Sequence, residues 1–170
     1  RKFDMFWTIT EIKAAEPPSK SSAPEVIFLV LAANKLGAVW VPINTDYKGI
    51  WLVDTLNGSR PTVLVSDAAH ADRVAAVRDD LTVPVFVMHG GEDAIPGALT
   101  LDSLYVQGAP EPDMSAIRSC DTCAVLWTSG TTGKAKGVMQ SHNVWFNAAM
   151  AANEECQFGI AEGGVIYSVL

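Results

Sequence analysis

The run Thr128-Ser129-Gly130-Thr131-Thr132-Gly133-Lys134-Ala135-Lys136-Gly137 offers hydroxyls, three glycines and two ammonium groups, and no carboxylate. Glycine takes positive φ without steric cost, so the three glycines let successive N–H groups converge on one anion. The hydroxyls add donors that rotate to suit, and lysine supplies charge. These residue types in this order are suited to phosphate. The bland alternative is a polar turn between two strands, and spacing decides between the two.

Two familiar phosphate loops do not fit. The nucleoside-triphosphatase loop needs a first glycine where Thr128 stands and a hydroxyl residue where Ala135 stands. The kinase and dinucleotide loops need Gly-x-Gly-x-x-Gly, whereas Gly130, Gly133 and Gly137 are spaced by three and four. The run does resemble the phosphate-binding signature of the adenylate-forming (AMP-binding) superfamily, which includes acyl-CoA synthetases, luciferases and peptide-synthetase adenylation domains. That signature reads Thr-Ser-Gly-Thr-Thr-Gly-x-Pro-Lys-Gly-Val. Every specified position through Val138 agrees except the proline, which is Ala135 here. A second block, Lys35-Leu36-Gly37-Ala38-Val39-Trp40-Val41-Pro42-Ile43-Asn44 followed by Tyr47-Lys48-Gly49, is similar to the same family's helix-to-strand passage.

The resemblance runs from about residue 24 to 170. It implies a partial N-terminal nucleotide-binding domain over 24–170, with 1–23 an unmatched segment and linker. The activity it implies is that of a carboxylate-activating ligase, similar to an acyl-CoA synthetase. Its substrates would be ATP, a small carboxylic acid and coenzyme A, with Mg2+ accompanying the nucleotide. Thr128, Ser129, Gly130, Thr131, Thr132, Gly133, Lys134, Lys136 and Gly137 form the candidate phosphate site. Lys136 stands at the family's lysine position and Lys134 at its variable one. The lysine that orients adenylation in the family belongs to a C-terminal domain absent from this chain, so no catalytic residue is assigned. The runner-up reading is a catalytically incompetent fragment that keeps only the loop. A small phosphate-binding module of another α/β family is a third.

Ala135 is the one departure. Proline there would narrow the unfolded ensemble, so alanine costs about 0.4–1 kcal/mol of loop ordering where the native φ suits proline, and it removes no phosphate ligand.

The elements that must hold this loop follow from periodicity. Strand Cys123–Thr128 precedes it and Val138-Met139 follows, which places the loop at a sheet edge where ligands of open α/β sheets collect. Upstream, a helix is expected over 23–36, capped by Ser22 and Glu25 and stopped by Gly37. Its apolar residues run all round, which implies burial on every side. Further expectations are a strand over 38–42, a helix over 49–56 ended by an Asn57-Gly58 turn, a strand over 62–66, a helix over 68–79 and a strand over 83–88. A short helix over 99–106, a helix over 143–156 and a strand over 165–170 complete the pattern. Strands separated by helices imply an α/β fold with a mainly parallel sheet of βαβ units. A fragment of such a sheet leaves edges and apolar faces uncovered, from which poor solubility follows.

Composition narrows the rest. With 49% hydrophobic and 18% charged residues the chain reads as a folded protein. Its net charge of −7 argues against a nucleic-acid surface. Residues 122–153 carry no Asp or Glu and a charge of +2, leaving −9 for the remainder, so a small polyanion finds its attraction at the loop. The longest apolar run, 26–33, falls short of the roughly 18 residues that read as a membrane span. There is neither a signal-peptide pattern nor an initiating Met, which suggests a piece of a longer reading frame.

Three cysteines and no secretory signal suit the reducing cytoplasm. Cys120 and Cys123 have Cys-x-x-Cys spacing and with His142 and Cys156 could supply zinc ligands or a redox pair, but ordinary core thiols are the simpler reading, and no metal site is assigned. His142 reads as a helix cap or, less simply, as a hydrogen-bonding partner of a substrate, and His70 and His89 as surface residues without partners. Trp127, Trp145 and Phe146 read as core or, less simply, as the lining of an acyl pocket. The Asp79-Asp80 and Glu154-Glu155 pairs read as solvated helix ends.

Overall fold

Alternating β-branched and apolar segments build a seven-stranded sheet in the order β5-β4-β3-β1-β2-β6-β7. The computed structural model describes residues 6–10, 24–128, 135–154 and 161. The strands are β1 (Phe6–Thr10), β2 (Val39–Ile43), β3 (Val63–Asp67), β4 (Val85–His89), β5 (Leu99–Thr100), β6 (Thr122–Thr128) and β7 (Lys136–Ser141). Among the described residues four α-helices accompany them: α1 (Pro24–Lys35), α2 (Ile50–Ser59), α3 (Ala71–Ala75) and α4 (His142–Glu154). Strands β1 to β6 pair in parallel, and β7 returns antiparallel along β6. The expected α/β fold with a mainly parallel sheet is therefore present.

The chain runs from β1 to β2 on one side and then back over β1 to β3. Right-handed crossovers with opposite senses put the connecting helices on opposite faces. Two buried clusters match this. One joins Val41, Ile43, Leu64 and Phe86 to Leu52 and Leu56 of α2 and Val74 of α3. The other joins Val65 and Val87 to Leu29 of α1. Successive strand residues alternate between these clusters, as the period of two requires. Each buried Leu, Ile or Val contributes about 1.5–3 kcal/mol, so the sheet with α2 and α3 holds the larger share of the core.

Several boundaries differ from the sequence expectation, each for a local reason. Strand β1 lies in a segment that the sequence left without an element, yet its Phe-Trp-Thr-Ile-Thr composition favours strand and it pairs on both sides. Helix α1 ends in a Schellman arrangement. Gly37 takes φ +67°, Ala38 N–H donates to Ala33 O at 2.8 Å and Gly37 N–H to Asn34 O at 3.1 Å. Its burial is one-sided, however. Leu29 and Ala33 are covered, whereas Ile27, Phe28 and Leu31 are each more than half exposed. The expectation of burial all round is corrected: no described element covers that outer stripe.

Helix α2 continues through the Asn57-Gly58 pair that reads as a turn. The Asn57 amide donates to Asp80 O at 2.8 Å and its Oδ1 accepts from Thr82 N–H at 3.0 Å, so the side chain bridges to a neighbouring loop and does not turn its own backbone. The stop comes at Arg60, in the left-handed region at φ 49°, just before Pro61. Helix α3 is shorter than expected because Asp67 Oδ1 accepts from the His70 N–H at 3.1 Å and holds 67–70 as a turn. The expected helix over 99–106 is instead strand β5 and a 3-10 turn over Asp102–Leu104. There Thr100 and Ser103 exchange side-chain and backbone hydrogen bonds that compete with a helix. The expected strand over 165–170 and the Ser22 cap lie outside the described residues.

Candidate functional site

Because β6 runs parallel to β2, its last residue, Thr128, emerges at the same end of the sheet as the carboxyl ends of β1 to β5. This is where open α/β sheets collect their ligands. The candidate loop leaves β6 there and returns as β7, with Thr128 paired to Lys136 and Trp127 to Gly137. Thr128, Lys136 and Gly137 are exposed, and the Thr128 hydroxyl lies 3.4 Å from Lys136 O, so the root of the loop is a closed hairpin end facing solvent. Ser129, Gly130, Thr131, Thr132, Gly133 and Lys134 lie outside the described residues. Ala135 is described and half-buried. Ala135→Pro should raise stability by about 0.4–1 kcal/mol in a urea titration, because proline narrows the unfolded ensemble. A lower midpoint would show that Ala135 needs its N–H or a φ that proline cannot take.

Behind the root, the α2 face of the hairpin is closely packed. A Cβ added at Gly137 would lie 2.9 Å from Val125 Cγ1. The Trp127 ring packs against the larger core, and its Nε1–H donates to Ser59 Oγ at 3.0 Å. The opposite face carries α4. Its first amides are tied to the turn before β6, His142 N–H to Asp121 O at 3.3 Å and Asn143 N–H to Ser119 O at 2.9 Å. Backbone contacts therefore dock the start of α4.

Trp145 sits against Trp40 with ring centroids 5.7 Å apart, on the α1 side of the sheet. Trp127 lies on the α2 side, so Trp127 and Trp145 do not converge on one acyl pocket. Phe146 is 63% exposed.

His70 is a correction to the sequence reading. Its Nδ1 lies 2.5 Å from Asp67 Oδ1, and both side chains are largely buried. Nearby, the Arg73 guanidinium donates to Thr45 O. His70, Arg73 and Thr45 border a cleft with Asn44 and Tyr47 at the carboxyl end of β2. An Asp and a His three residues apart at a strand end is the signal that could have found the pair. The His70 Nδ1 and backbone N–H both meet Asp67 Oδ1, so the pair clasps the turn that follows β3.

Cys123 is buried and burial pushes its thiol above the usual range, while Cys120 is exposed; both are free thiols. Among the described residues no group of three His, Cys, Asp or Glu is placed to hold a metal ion. Cys156 lies outside them. No described helix is long and apolar enough to cross a membrane.

Residues 21–170 match the family model described as AMP-binding enzyme. The chain is 32% identical over 142 residues to the 3-[(3aS,4S,7aS)-7a-methyl-1,5-dioxo-octahydro-1H-inden-4-yl]propanoyl:CoA ligase of Rhodococcus jostii, covering 75% of this chain and 28% of that protein. It is 34% identical over 145 residues to 3-methylmercaptopropionyl-CoA ligase of Ruegeria lacuscaerulensis, covering 82% of this chain and 27% of that one. Among solved structures, ATP-bound MatB from Rhodopseudomonas palustris superposes with a TM-score of 0.57 at 26% identity, over 88% of this chain and 27% of that one. The chain thus spans about a quarter of the length of the curated relatives it matches.

Proposed function

From a chain that belongs to the family of AMP-binding enzymes, we propose part of an ATP-dependent carboxylate-activating ligase that forms an acyl-adenylate and then an acyl-CoA thioester. The observation that carries this reading is the solvent-facing hairpin root at Thr128 and Lys136, set at the carboxyl end of the parallel strands. A carboxylate is a poor electrophile because resonance and charge protect its carbon. Attack of a carboxylate oxygen on the α-phosphorus of ATP releases pyrophosphate and turns the carboxylate into a mixed anhydride with a good leaving group. A thiolate of coenzyme A then attacks the carbonyl and AMP departs.

In this reading Thr128, Ser129, Gly130, Thr131, Thr132, Gly133, Lys134, Lys136 and Gly137 hold the β- and γ-phosphates and offset charge on the departing pyrophosphate. Mg2+ would accompany ATP as part of the nucleotide substrate. Residues 24–170 form the partial nucleotide-binding domain, and β1 belongs to the same sheet. Free Cys120 and Cys123 suit a cytoplasmic setting.

A second reading, a fragment that keeps the loop without turnover, is favoured by one observation. The apolar residues Ile27, Phe28 and Leu31 of α1 and Val144, Phe146 and Met150 of α4 are left uncovered. Incubating the folded chain with ATP, labelled pyrophosphate and a panel of aliphatic and aromatic acids separates the two. Acid-dependent exchange of label into ATP supports the ligase, whereas pyrophosphate binding without exchange supports the fragment. Absence of both from a folded chain would remove the phosphate assignment.

A further inference from the structure

We propose that Trp127 is a positioning residue for the phosphate site, fixing the hairpin root to helix α2 through Ser59. The inference rests on the phosphate-site reading above. Strand β6 joins the parallel sheet in the described ladder at Ala124, opposite Trp40. Beyond that point Val125–Thr128 pair with β7, itself an edge strand. Val125 packs against the main core, and the carboxyl half of β6 gains a second tether nearer Thr128 and Lys136.

Trp127 supplies it. Its Nε1–H donates to Ser59 Oγ at 3.0 Å. The Ser59 hydroxyl has one proton, which goes to Thr55 O at 2.8 Å, so its lone pairs are turned outward to accept from the indole. One turn earlier Thr55 repeats the pattern onto Trp51 O at 2.7 Å.

Two glycines flank the ring at ordinary van der Waals distance. A Cβ on Gly58 would stand 3.4 Å from the ring carbon Cη2, and one on Gly137 would stand 3.8 Å from Cε2 and Cζ2. The ring is thus held between α2 and β7, with its polar end fixed. Thr128 is the next residue along the chain. Displacement of the indole is carried directly into the backbone that starts the loop.

The test uses Trp127→Phe, which keeps a ring and loses the N–H, and Ser59→Ala, which removes the acceptor. Each should weaken pyrophosphate binding, read by calorimetry, by about three- to tenfold, the worth of one hydrogen bond. The double variant should be no weaker than either single one, because both changes break the same bond. Ser59→Thr, which retains a hydroxyl, should restore affinity. Amide exchange over 125–138 should quicken in Ser59→Ala and Trp127→Phe while the interior of α2 stays protected.

Wild-type affinity in both variants, or additive losses in the double, would overturn the proposal. Should Trp127→Phe fail to fold, Ser59→Ala and Ser59→Thr decide alone. If the unaltered chain binds no pyrophosphate, it is the phosphate reading that fails. Amide exchange then still decides the tether, and unchanged protection over 125–138 refutes it.

Discussion

Lys136→Ala should weaken binding of pyrophosphate or MgATP by about ten- to a hundredfold, the range expected when a hydrogen bond to a charged group is lost. Lys134→Ala should change it far less. The two lysines are separated by one residue, so composition alone does not rank them. The fold does. Lys136 belongs to β7 and its backbone is paired with Thr128, so its ammonium starts from a fixed point beside the loop. Less freedom is lost when such a side chain meets an anion. Calorimetry at low and moderate salt checks this, since the loss should shrink as salt screens an exposed charge. Equal losses from both substitutions would mean that proximity to phosphate owes nothing to the strand.

Gly137→Ala should destabilise the chain by about 1–3 kcal/mol, the usual cost of adding a methyl group to a packed surface. Two effects compete. Alanine restricts the unfolded chain and would return about 0.4–1 kcal/mol on that account. The added Cβ would stand 2.9 Å from Val125 Cγ1, and Val125 is itself packed against the main core, so relief requires moving a β-branched side chain with few rotamers. The steric term is the larger. A urea titration reads the sum, and a midpoint at or above that of the unaltered chain would show that Val125 yields freely.

The alternation of strands and helices was legible because half-buried strands and one-sided helices write their periods into the sequence. It showed βαβ units from residue 38 onward, and the phosphate loop stood out by residue order alone. What stayed hidden depends on contacts distant in sequence. Asn57-Gly58 has the chemistry of a turn, and only the places of Asp80 and Thr82 show why it stays helical. Helix α1 is apolar all round, and its sequence cannot say which face lacks a partner in a chain a quarter the length of its relatives. His70 gained its partner from a turn that local propensity assigned to helix. Ser59 carries no signal at all until the indole of Trp127, 68 residues away, is seen to reach it.

The central place of β1 bears on where the folding unit begins. The family match starts at residue 21, after this strand. Yet Phe6–Thr10 is the rung shared by β2 on one side and β3 on the other. With neighbouring strands about 4.8 Å apart, its removal would open a gap of twice that width, too wide for β2 and β3 to bond across. Trimming the chain to the matched region would thus split one sheet into two smaller ones, three strands each, with the loop on one half and the larger part of the α2–α3 core divided between them.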